Sequence, residues 1–77
     1  MQIRKLEKDD HEEVMDFLLE EPEFNLFIIG DLENYGYNKD FQDIWGSFDK
    51  NNKLIGVLLK YFGSFIPYTY NQEVLKE

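Results

Sequence analysis

The run Leu54-Ile55-Gly56-Val57-Leu58-Leu59 contains no polar side chain, and it constrains the fold more than any other feature. Its length and apolar content suit a buried strand, and a strand that is apolar at every position leaves no face for water. It is therefore expected in the interior of a sheet and covered on both faces, with helices on at least one of them. The flanking residues agree. Asp49-Lys50-Asn51-Asn52-Lys53 is turn-like, and residues 41–48 before it are rich in aromatic and aliphatic side chains, so 41–48 and 54–62 form an antiparallel hairpin. Gly63-Ser64 punctuates the chain before residues 65–70, where Pro67 withholds a backbone N–H and restricts the segment to an edge strand or irregular pairing. Residues 2–6 place Ile3 and Leu6 as anchors of a short first strand.

Between that strand and the hairpin the hydrophobic period changes to that of a helix. Val14, Phe17 and Leu18 fall at i, i+3, i+4 spacing, while Glu12, Glu13, Asp16 and Glu20 are left for solvent. Asp9 or Asp10 is placed to cap this helix, and Pro22 ends it. Pro22 also suits the first turn of a second helix, whose apolar face is formed by Phe24, Phe27, Ile28, Leu32 and Tyr35 and whose C-terminal cap is Gly36. Gly30 lies inside the second helix and implies either close packing there or a break. Asn71 and the residues after it read as the start of a further helix. The expected class is α+β, with about four mostly antiparallel strands and two helices in the order β-α-α-β-β-β. With no linker or repeat in the sequence, residues 1–77 are expected to be a single domain or part of one.

At 77 residues the core has to be economical, and hydrophobic burial in such a chain seldom leaves more than ~3–5 kcal/mol of net stability. A composition 43% hydrophobic and 17% aromatic nevertheless belongs to a folded protein. Sixteen acidic residues against eight Lys and Arg give a formal charge of -8, which repels phosphate backbones and argues against nucleic acid as a partner. The absence of cysteine excludes disulfides, thiolate zinc and a thiol nucleophile. No apolar stretch approaches the length of a membrane span or a signal peptide, so a cytoplasmic location without membrane contact is expected.

The order of elements resembles the opening of the GNAT superfamily of N-acetyltransferases, in which β1-α1-α2 precedes the antiparallel strands of a mixed sheet. The resemblance rests on Ile3-Arg4-Lys5-Leu6, on the distinctive block from Pro22 through Glu23-Phe24-Asn25-Leu26-Phe27-Ile28-Ile29-Gly30-Asp31-Leu32-Glu33-Asn34-Tyr35 to Gly36, and on Trp45-Gly46-Ser47-Phe48. It is to bacterial members of unassigned substrate, and it covers essentially the whole chain. What it implies is an activity that transfers an acetyl group from acetyl-CoA to an amine. It also implies an acceptor-facing loop after the second helix, where Glu33, Asn34, Tyr35 and Tyr37 offer carboxylate, amide and phenol groups.

The family's next requirement is a Gln/Arg-x-x-Gly-x-Gly/Ala loop whose backbone N–H groups receive the pyrophosphate. Gly30, Gly36, Gly46, Gly56 and Gly63 are too widely spaced to form it. The chain is therefore expected to be an N-terminal portion of such an enzyme, to bind no cofactor of its own and to be inactive alone, with acetyl-CoA belonging to the complete family member. Its partner would be the missing C-terminal half or a second copy, meeting it at the open sheet edge. The alternative is a small acidic binding or dimerisation module without enzymatic activity.

The remaining polar residues suggest little chemistry. His11 follows Asp9 and Asp10, but a single histidine in an acidic first turn is more often solvated than catalytic or metal-bound, and no role is assigned to it. Asp49 and Asn51 have the spacing of calcium ligands, but Lys53 occupies the next ligand position and Leu54 the place of the required glycine. Ser47 and Ser64 lie in no nucleophile elbow. No catalytic or metal-ligating residue is therefore expected. Trp45, Tyr61, Phe62, Phe65, Tyr68 and Tyr70 fit sheet packing better than a ligand groove.

Overall fold

The computed structural model describes residues 2–69. Its elements are β1 (Gln2–Lys5), α1 (His11–Leu18), α2 (Leu26–Tyr35), β2 (Gln42–Phe48), β3 (Leu54–Tyr61) and β4 (Ser64–Thr69), with a 3-10 turn at Lys8–Asp10 leading into α1. The strands form one antiparallel sheet in the order β1-β2-β3-β4. This is the α+β class and element order expected from the sequence. Tyr70 and the helix start proposed from Asn71 lie outside the described residues.

Strict alternation in β2 fixes the orientation of the sheet. Gln42, Ile44, Gly46 and Phe48 are buried while Asp43, Trp45 and Ser47 are only half-buried. The register sets Ile44 beside Leu59 and Gly46 beside Val57, so one face of the sheet carries the core. Val14, Phe17 and Leu18 of α1 and Ile28 and Leu32 of α2 join Leu6, Tyr37, Ile44, Phe48, Leu54, Val57 and Leu59 in a single cluster. Each fully buried aliphatic side chain there contributes roughly 1.5–3 kcal/mol. Gly46 is required by that packing, because a Cβ at this position would stand 2.9 Å from both Leu54 Cδ1 and Leu6 Cδ2.

Several expectations are corrected. β3 is interior as predicted, but among the described residues it is covered on one face only: Leu58 is half-buried on the other face and Ile3 and Phe65 are exposed there. An apolar strand interior thus reported its central position without reporting a second layer. Pro22 does not begin the second helix, since residues 20–25 run in turns and α2 starts at Leu26. The short connection uses Asn25, which is fully buried and whose Nδ2 donates to the Leu18 carbonyl at 2.9 Å, tying the end of α1 to the start of α2. With the helix starting later, Phe24 and Phe27 do not join its buried face and are 77% and 74% exposed. Gly30 allows no close approach: α2 is continuous through it, and no atom lies within 4 Å of a Cβ built there. Gly36 does cap α2, with φ +72° and its N–H donating to the Leu32 carbonyl.

At the start of α1, Asp10 makes no side-chain bond to the helix. Its carboxylate instead accepts from the Glu7 N–H at 2.8 Å and takes two hydrogen bonds from Arg4, at 3.0 and 2.9 Å. The 3-10 turn is thereby fastened to β1. The Arg4 hydrogen bonds hold the Asp10 carboxyl below its ordinary value.

Candidate functional site

Two surfaces stand out once the elements are in place. The first lies where the connection after α2 passes the beginning of α1. Gly36 turns the chain in the left-handed region that glycine tolerates, and Tyr37 drops back against the core at 6% exposure. Its hydroxyl meets His11 Nδ1 at 2.8 Å, and the two rings pack edge to face with centroids 5.6 Å apart. Burial, followed by the nearby charge of Asp10, pushes the Tyr37 phenol up to about 12. Beside this pair is a cleft of about 380 Å³, lined by Lys8, His11, Leu32, Tyr35, Tyr37 and Lys39 together with Gly36 and Asn38.

The four sequence-derived acceptor residues separate here. Glu33 and Asn34 are exposed on the last turn of α2, and Tyr35 and Tyr37 line the cleft. Tyr35 also belongs to an aromatic cluster, with its ring 5.1 Å from Phe41 and 5.8 Å from Tyr61. A hydroxyl contact with Tyr35 raises the Tyr61 phenol. His11, given no role from the sequence, is brought into the site. The 26 residues that separate it from Tyr37 leave no local pattern that could have revealed the pair.

Gln42 closes the other side of the turn. Its Nε2 donates to the carbonyls of Gly36 at 2.8 Å and Asp31 at 3.2 Å, so the end of α2 is satisfied by a buried side chain of β2. The turn at residues 49–53 has an ordinary structural explanation: Asp49 Oδ1 accepts from the N–H groups of Asn51 and Lys53.

The second surface is the sheet face away from the helices. It holds an apolar groove of about 430 Å³ whose walls include Ile3, Trp45, Leu58, Phe65 and Pro67. Asp43 is the only acidic residue in the four strands, and it pairs with Lys5 at 2.9 Å. Lys60 extends over the Phe65 ring at 5.9 Å. Of the aromatic residues considered for a groove, Trp45, Phe65 and Tyr68 line this one. Tyr68 also packs against the core and donates its hydroxyl to Glu21.

Among the described residues no group of three His, Asp or Glu side chains is placed to hold a metal ion, and no helix is long and apolar enough to cross a membrane. No family, curated protein or solved structure matches the chain.

Proposed function

We propose that this domain is the N-terminal, acceptor-side part of a cytoplasmic acetyl-CoA-dependent N-acetyltransferase and has no transferase activity by itself. The observation that supports the reading is the arrangement β1-α1-α2-β2-β3-β4, with both helices on one face of an antiparallel meander. In this reading Glu33 and Asn34, exposed beside the Tyr35 ring, meet the acceptor amine, and the remainder of the enzyme supplies the pyrophosphate loop. The rest of the protein would also cover the apolar groove and join the sheet at its β4 edge.

The source reading frame tests this directly. A frame that continues past the codon for Glu77 into Arg/Gln-x-x-Gly-x-Gly/Ala is the expected result, and an immediate stop codon overturns the reading. In a second test, the purified chain is mixed with acetyl-CoA and a panel of primary amines. Release of free coenzyme A thiol should not exceed the buffer rate.

One observation favours a second reading, that of a small acidic module that dimerises through the open sheet face. The groove is lined mainly by apolar side chains, and Asp43 is the only acidic residue in the strands that form it. Size-exclusion chromatography with light scattering examines it, and a strict monomer at high concentration excludes this module.

A further inference from the structure

The cleft beside His11 and Tyr37 has an electrostatic character opposite to that of the protein around it. The chain has a formal charge of -8 and sixteen acidic residues, yet none of the residues lining this cleft is Asp or Glu, and two of them, Lys8 and Lys39, are lysines. Among the described residues neither lysine takes part in an ion pair, whereas Arg4 and Lys5 are engaged by Asp10 and Asp43. Glu7, Asp9 and Asp40 adjoin these lysines in sequence but do not line the cleft. Asp10, next to His11, is turned away to Arg4, from which it accepts two hydrogen bonds, although its charge still reaches the Tyr37 hydroxyl. The lining itself therefore carries two positive charges and no acid. The same lining supplies hydrogen-bonding groups, the Tyr37 hydroxyl, the His11 ring and the Asn38 amide, and an apolar wall formed by Leu32 and Tyr35.

One feature opposes an anion: the C-terminal end of α2, which carries partial negative charge, borders the same cleft. One carbonyl at that end, that of Gly36, already accepts from Gln42 Nε2. Against it stand the two lysines of the lining. The volume falls within the range of small-molecule sites, and the combination of apolar wall and convergent polar groups is the composition such sites share.

We infer that this cleft is a binding site for a small organic carboxylate with a planar apolar body, its carboxylate between Lys8 and Lys39 and its apolar part against Leu32 and Tyr35. The site stands independently of the acetyltransferase reading, since it requires neither acetyl-CoA nor a residue outside this chain.

The test uses the full 77-residue chain, labelled for amide NMR and titrated with benzoate and, separately, with benzylammonium, which presents the same ring with the opposite charge. Benzoate should give saturable shifts at Leu32, Tyr35, Tyr37 and Lys39 with a dissociation constant on the order of millimolar, as suits a ligand of so few atoms. The Lys8→Met and Lys39→Met double variant should weaken benzoate binding roughly 5- to 20-fold, each exposed charge contributing a few-fold. Both lysines are exposed, so the variant keeps its fold. The inference is overturned if benzylammonium shifts the same residues as tightly as benzoate does. It is also overturned if benzoate shifts nothing in the cleft, or if the double variant binds it unchanged. None of these outcomes bears on whether the reading frame continues, so this inference and the proposed function fail separately.

Discussion

Single residues decide how tightly the core closes. Gly46 lies under three buried side chains, with Phe48 Cε1 3.1 Å from the position its Cβ would take. Leu6, Leu54 and Phe48 are all at most 3% exposed and cannot swing into solvent to make room. Gly46→Ala should therefore destabilise the fold by about 1–3 kcal/mol, read as a lowered urea midpoint with an unchanged slope. A neutral result would show that the core yields where the geometry says it is full.

Two tyrosines link stability to alkaline pH. Tyr37 and Tyr68 both have phenols pushed up to about 12, chiefly by burial, with the Asp10 charge adding to the first and the Glu21 hydrogen bond to the second. The folded state thus keeps protons that the unfolded chain releases near 10, and the unfolded state binds fewer protons throughout that window. Stability attributable to these groups is complete below pH 10 and is lost as pH rises from 10 toward 12. Thermal melting followed across that range should show the decline, and Tyr37→Phe should flatten it. An equally steep decline in the variant would remove Tyr37 from the account.

At the scale of elements, α2 shows where a pattern misleads. Ile28 is 1% exposed and Phe27 is 74% exposed, although both lie in one apolar stretch. Ile28→Ala should cost about 2–5 kcal/mol, while Phe27→Ala should stay within about 0.5 kcal/mol. Chemical denaturation of the pair checks the orientation of the helix, and equal losses would contradict it. The fold was legible where local signals were regular: Val14, Phe17 and Leu18 on α1, the aromatic and aliphatic strand through residues 41–48, and the Pro67 edge strand all follow from local sequence. It was not legible around Pro22, because the turn there depends on Asn25 reaching the Leu18 carbonyl, a tertiary contact with no periodic signature. Nor did the all-apolar β3 disclose that its second face is uncovered, since burial among neighbouring strands and burial under a second layer select the same residues. The candidate site was half visible. Tyr35 and Tyr37 follow from the end of α2, whereas Lys8, His11 and Lys39 reach the same cleft only through the packing of α1 against the turn that follows α2.

For the molecule as a whole, the distribution of charge matters more than its sum. Asp43 is the one acidic residue in the strands, and the other described acids lie on the helices, turns and connections. Two copies approaching helix to helix bring their acidic surfaces together. Two copies approaching through the open sheet faces keep those surfaces outward and bury Ile3, Trp45, Leu58 and Phe65 between them. Self-association of the isolated chain should therefore use the sheet face and grow stronger as salt is added. Long-range repulsion between two molecules of charge -8 reaches about 30 Å at 0.01 M ionic strength but only about 8 Å at 0.15 M, while the apolar contact is not weakened by screening. Trp45 is the single tryptophan and lines the groove, so its emission should shift to the blue as the dimer forms, in step with the mass measured by light scattering. Leu58→Asp, which places a charge in the groove from a half-buried position, should abolish both signals while leaving the thermal transition of the monomer largely in place. Association that weakens with salt, or that leaves Trp45 emission unmoved, would place the contact on complementary charges elsewhere and would leave the groove open.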